Sequence, residues 1–335
     1  MRINVGSHRR QGLIKATPEG PPPGEKLSGH TDRSGTTVHG WPAVIFGVPF
    51  AGMGTALTVL MALGKMRTTG NAPPWLGVML GGLFAVVGFI LIVHGLKGVV
   101  QKSRAARGRA ANPTEPWAWD HAWNPMGAED DSKRQLRRNA QTAIMIAVFL
   151  VPFNWVSFFA PDSQIGFIIV TGIFDLIVVG LGVRVWYLAA RRRKYGVQML
   201  RYRRFPFAPG EEVELILPRT GPIATLERLE ATLRCVQERY EVHRSGKNSS
   251  SKVVSYAVWS QAQMSEQGDG RRSTEREFTW RFMIPAELPG TSLSERPPRY
   301  WELEVFAAMP GVDYRKVFLV PVYVDLRERR RRLAG

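Results

Sequence analysis

Asp175 is a carboxylic acid inside an otherwise apolar run, Gly166 to Ala190. In a helix it would lie about nine residues, or roughly 13 Å, from the start of that run. An ionised carboxylate at such depth in hydrocarbon is expensive, so it either carries a proton or ion or is held by a polar partner. Asn154, in the preceding run, lies at a comparable depth and can donate to it. Two chemistries are open: a proton or ion path, or a helix–helix contact worth about 1 kcal/mol. The first apolar run offers only Thr55 and Thr58 as further polar groups, which is thin for a path.

Three indoles form the second cluster: Trp117, Trp119 and Trp123, bounded by Pro113, Pro116 and Pro125. Each can bury up to about 250 Å². They read either as a docking element for a protein partner or lipid headgroup, or as rings that pack on the chain's own folded domain. The third cluster, Arg191, Arg192, Arg193 and Lys194, suits anionic headgroups at a membrane surface. His94 and Arg184 fall near the same level, where an arginine can snorkel. No histidine, His121 and His243 included, has neighbours at metal-ligand spacing, and Glu211-Glu212 reads as a solvated turn pair. Neither a Gly-x-Ser-x-Gly elbow nor a lysine-bearing phosphate loop occurs. No catalytic residue, metal or cofactor is therefore expected, and the chain does not read as an enzyme.

The elements that must position these residues follow from hydropathy. Four stretches, Trp41–Gly64, Trp75–Gly98, Gln141–Ala160 and Gly166–Ala190, each match the roughly 20 residues that cross about 30 Å of hydrocarbon. They pair as two hairpins, the second closing through Pro161 and Asp162. Gly77, Gly81 and Ala85 give the second stretch a close-packing seam. Residues 1–40 hold Pro, Gly, Ser and charge with no apolar core of a signal peptide, and read as a disordered tail.

The net charge of +17 would suggest nucleic acid in a soluble protein, but the basic residues flank the apolar runs and lack interleaved aromatics. Arg2, Arg9, Arg10, Lys15, Lys26 and Arg33 precede the first run; Lys102, Arg104, Arg107, Arg109, Lys133, Arg134, Arg137 and Arg138 lie between the second and third. Loop 65–74 holds only Lys65 and Arg67. The positive-inside rule then puts both termini and the loop 101–140 in the cytoplasm. Cys235, the single cysteine, cannot form an intrachain disulfide.

Beyond Tyr195 the period changes to two. Large apolar residues alternate in Phe278–Ile284, in Trp301-Glu302-Leu303-Glu304-Val305, along Phe318, Val320, Val322 and Val324, and along Leu229, Ala231, Leu233 and Cys235. Such alternation means strands with one side on a core and the other in water. Turn chemistry at Pro209-Gly210, Gly221-Pro222, Ser245–Asn248, Gly268–Gly270 and Pro310-Gly311 separates about seven strands, which fits an antiparallel β-sandwich.

The run Pro116-Trp117-Ala118-Trp119-Asp120-His121-Ala122-Trp123 resembles the Pro-Trp-x-Trp-x-x-x-Trp signature of an uncharacterised bacterial family with four membrane spans and a C-terminal β-domain. Asp120 and His121 depart from it, standing where that pattern has a basic and another polar residue. The series Phe282-x-Ile284-Pro285, Tyr300-Trp301-x-Leu303-x-Val305, Pro310-Gly311-Val312-Asp313-Tyr314 and Val320-Pro321-Val322-Tyr323 is similar to the closing strands of arrestin-like β-sandwiches. The resemblance implies a shape and no reaction. The expected organisation is a cytoplasmic tail (1–40), a first transmembrane hairpin (41–100), a cytoplasmic tryptophan loop (101–140), a second hairpin (141–190), a cytoplasmic sandwich (195–326) and a basic tail (327–335). The expected work is binding: an inner-membrane scaffold or protein-interaction module in contact with lipid. A small transporter using Asp175 and a membrane-surface enzyme are the alternatives.

Overall fold

The computed structural model describes residues 23–34, 40–66, 73–160, 164–219, 221–223, 226, 228–245, 248–266 and 277–324. The arginines at 2, 9 and 10, Lys15, Arg67, the Pro161-Asp162 turn, Gly268–Gly270 and the basic tail 327–335 lie outside them.

Four of the helices, α1 (Trp41–Ala62), α2 (Pro74–Ala111), α4 (Ser132–Phe159) and α5 (Ile165–Tyr195), are long and apolar enough to cross a membrane. Small residues decide how α1 and α2 meet. Ala43, Gly47, Ala51 and Gly54 of α1 face Gly77, Gly81, Ala85, Gly88 and Gly95 of α2, all buried, so the seam runs well beyond the three residues expected from sequence. A Cβ added at Gly54 would stand 2.2 Å from the Ala85 nitrogen, and one at Gly88 2.2 Å from the Ala51 nitrogen. Backbone-to-backbone approach of this kind lets dispersion hold helices that have no hydrophobic drive in lipid. The two hairpins touch each other sparsely, Trp75 meeting Trp155 edge-on at 5.8 Å. Most of the remaining helix surface is exposed apolar side chain.

The ends of the helices differ from the expected spans. α2 continues past Gly98 to Ala111 and α4 starts at Ser132 rather than near Gln141, so the 101–140 loop is largely helical at both ends. Alanines and arginines after Gly98 favour helix, and a charged helix is stable where it leaves an apolar layer. A short helix, α3 (Trp117–Asp120), lies between them.

The remaining chain forms two antiparallel sheets. One holds β1 (Glu25–Lys26), β6 (Asn248–Glu266), β5 (Arg228–Ser245), β8 (Arg299–Ala307) and β9 (Tyr314–Val320), in that order. The other holds β2 (Gly127–Glu129), β3 (Met199–Tyr202), β4 (Glu212–Pro218) and β7 (Glu277–Met283). Seven of these strands follow Tyr195, but β1 and β2 come from segments read as tail and loop. Between the sheets lie Leu215, Leu233, Trp280, Phe282, Leu303, Phe318 and their neighbours, almost all fully buried.

Two expectations therefore need correction. Residues 25–34 are not a free tail: β1 pairs with Tyr256 and Ala257 of β6, and Gly24 lies so close that a Cβ there would sit 1.9 Å from the Ala257 oxygen. The outer face of the larger sheet is also not in water. Glu238, Glu302 and Arg234 are all buried there, beside a second small core of Val236, Tyr300 and Leu319 under Leu27, Trp123 and Leu293. Alternation predicts which residues share a face; it does not reveal that another segment covers that face.

Candidate functional site

The residues singled out from sequence meet at two places, one between the apolar helices and one where those helices join the sandwich. In the first, Asn154 of α4 donates from Nδ2 to Asp175 Oδ1 of α5 at 2.9 Å. About one turn away Ser157 donates to Thr171 Oγ1 at 2.7 Å, both side chains fully buried. These paired polar rungs tie α4 to α5 and satisfy each other.

At the junction, every helix that leads toward the sandwich is fastened to it. Residues 27–34, ahead of α1, form a strap across the outer face of the large sheet. Glu238 of β5 accepts from the backbone amides of Arg33 and Ser34, from Ser34 Oγ, and from Tyr300 Oη at 3.0 Å. His30 Nε2 lies 2.9 Å from Glu302 Oε1, which also accepts from Arg234 Nε at 2.7 Å. Burial opposes ionisation of Glu302, but the bond and charge of His30 with the charges of Arg234 and Arg33 prevail and bring it down to about 2. Arg138 of α4 forks onto Asp32, with Nη2 3.1 Å from Oδ2, and Gln135, one turn earlier, donates to Thr31 at 3.2 Å.

The tryptophan segment closes the other end of the same face. Asp120 accepts from the amides of Leu293 (2.8 Å) and Ser294 (2.7 Å) and from Tyr323 Oη (2.8 Å). Trp123 Nε1 donates to Tyr323 Oη at 2.8 Å, and Trp117 meets the Tyr323 ring edge-on at 6.4 Å. Burial, then the Asp120 charge, push the Tyr323 hydroxyl well above its ordinary value, so it stays a proton donor. Trp119 lies under the Arg109 guanidinium, 4.8 Å from its ring centre, and donates to the Asn112 carbonyl at 3.1 Å. All three half-buried indoles thus contact their own chain, and Asp120 holds the segment in place.

α4 and α5 enter through a buried ion pair. Asp130 Oδ2 accepts from the Gln198 amide at 2.6 Å and from Lys316 Nζ at 3.1 Å, and Lys316 also donates to the Gly196 carbonyl at 2.7 Å. Burial lowers the Lys316 ammonium, against which the Asp130 charge works. Of the basic quartet, Arg191 is buried and donates to Gln135 Oε1 at 2.7 Å. Lys194 donates to the Pro310 carbonyl at 2.9 Å. Among the described residues Arg192 and Arg193 have no such hydrogen bond, so the four side chains are not equally exposed. Glu238, Glu302, Asp130 and Lys316 were not distinguishable in sequence from surface charges. Glu238 and Glu302 stand opposite the apolar face of a strand, whereas Lys316 shares the core parity of Tyr314, Phe318 and Val320 and Asp130 lies just past β2.

No family model matches the chain, and no curated protein matches it. Among solved structures it is similar to the crystal structure of Spo0M, a sporulation control protein from Bacillus subtilis, with 15% identity and a TM-score of 0.23. The match covers 37% of this chain and 48% of that one, so the chain spans about half the length of the protein it matches.

Proposed function

We propose that the protein is a multi-pass membrane protein of the bacterial inner membrane whose sandwich, arrestin-like by its strand motifs, faces the cytoplasm and recruits a protein partner without chemistry of its own. The four apolar helices would lie in lipid, and the arginine-rich helix ends that meet the sandwich would mark the cytoplasmic side.

The observation that carries the binding reading is the open edge of β6. β8 pairs with β5 only over Glu230–Gln237, whereas β5 and β6 pair as far as Ser245 and Asn248. Beyond Gln237 no further strand pairs with β5, so this stretch is two-stranded among the described residues. β1 and the following Leu27 cover Ser255, Tyr256 and Ala257 of the free edge, and the rest has no strand partner among the described residues. An open edge of this length offers a ladder of main-chain donors and acceptors to an added strand.

The test removes one edge donor. The Ser255 carbonyl accepts from the Leu27 amide at the edge, so Val253, two residues away, points its own N–H the same way. Val253→Pro removes that donor while sparing the β5 ladder. Partner capture from detergent-solubilised membranes, followed by mass spectrometry, should lose a protein retained by the unaltered chain, at an unchanged unfolding midpoint. An identical set of captured proteins would refute edge binding.

A further inference from the structure

Beneath the strap is a cavity of about 50 Å³, walled by Arg191 of α5, Ser132 of α4, His30, Arg315, Lys316 and Asp131 among others. Its cations are unequally neutralised. Lys316 is paired with Asp130 at 3.1 Å, and Arg315 with Glu304. Arg191 is different: it is 9% exposed, its hydrogen bond goes to the neutral Gln135, and no carboxylate among the described residues lies within 4.0 Å. Asp131 and Asp130 act on this buried guanidinium only from beyond ion-pair distance, and an anion at its side would compensate it more directly.

Two further groups are incomplete at the same place. Ser132, 8% exposed, opens the 28-residue helix α4, and its hydroxyl has no hydrogen-bond partner. His30, with a side chain 8% exposed, is bonded through Nε2 while Nδ1 has no partner. The Ser132 amide is already met by Asp130 Oδ1 at 2.9 Å, so it is the unpartnered hydroxyl, beside an arginine with no ion-pair partner among the described residues, that is suited to an oxyanion. One water position occupies about 10–15 Å³, so the cavity takes about four oxygen positions, the count of a tetrahedral oxyanion. Asp131 is the acid on this wall. Burial raises its carboxyl, against the pull of Arg33 and Arg134, in the direction that weakens its repulsion of an anion.

We propose that this cavity is a phosphate site, binding a phosphate group between the strap, the start of α4 and the end of α5. Arg191 directly follows the apolar residues Leu188, Ala189 and Ala190. The site therefore stands where the helices emerge, at a level that a lipid phosphomonoester or free inorganic phosphate could each reach.

The test uses the full-length protein in nanodiscs. In phosphatidylcholine discs, inorganic phosphate is titrated and the unfolding midpoint followed; a saturable rise identifies free phosphate as the ligand. Separate discs contain phosphatidic acid, or phosphatidylglycerol at equal charge; a rise specific to phosphatidic acid identifies the lipid phosphomonoester. Arg191→Gln should weaken the response at least about tenfold, the size of one lost charge-assisted bond. Ser132→Ala should also weaken it, and it decides the matter if Arg191→Gln does not fold. No rise from either source would overturn the proposal. So would a rise shared equally by phosphatidylglycerol discs, or a response left intact in the folded variants.

Discussion

Glu238→Gln tests whether the strap is held as the geometry indicates. Glu238 is 0% exposed, and its two oxygens accept from the Arg33 and Ser34 amides, the Ser34 hydroxyl and Tyr300 Oη. Glutamine keeps the shape but removes the charge, and it turns an N–H₂ group toward donors that need an acceptor. Hydrogen bonds to a charged group contribute about 1.5–3 kcal/mol each, and a buried donor left unmet costs a similar amount. Losing the acceptor on one side should raise the free energy of the docked strap by about 3 kcal/mol, roughly a hundredfold in its opening equilibrium. Native-state hydrogen exchange on the protein in detergent can read this directly. Amides of residues 25–34 should lose protection by about that factor, while β7 and β4, in the opposite sheet, should keep theirs. Unchanged exchange in the strap, or loss spread evenly over both sheets, would refute the reasoning.

Other outcomes follow from the same structure. Gly54→Leu places a side chain where Ala85 backbone stands 2.2 Å from a Cβ, so α1 and α2 must separate, with a loss of about 1–3 kcal/mol in thermal or denaturant unfolding. Glu302 is held at about 2 in the folded protein against an ordinary 4.5, so its contribution is complete above pH 4.5 and disappears as pH falls through 2. His30→Gln should therefore shift the acid unfolding midpoint to higher pH, as followed by tryptophan fluorescence. Trp123→Phe removes the donor to Tyr323 and should cost about 1 kcal/mol of stability. Asp175→Asn preserves a hydrogen-bonding pair with Asn154 and should change the unfolding free energy by less than about 1 kcal/mol. A larger loss would mean that the carboxylate has work beyond joining α4 to α5.

What the sequence determined by itself is local and periodic. Twenty-residue apolar runs give four long helices because burying or lipid-solvating that much continuous apolar surface leaves few other structures. Period-two patterns in Phe278–Ile284 and Trp301–Val305 give strands and name their core face, because side chains alternate across a strand. Asn154 and Asp175 could be matched by depth, since rise per residue is fixed. The tertiary structure alone decided what lies against the other faces. Nothing near Glu25–Ser34 in sequence announces that this segment will cover β5 and β8, contacts 204 and 272 residues apart, or that Glu238 and Glu302 will be buried under it. Arg191 and Arg193 are two residues apart and of the same type, yet one is buried at the junction and the other exposed. The choice depends on helix phase relative to a surface built from distant strands, and adjacent positions on a helix differ by about 100° in direction.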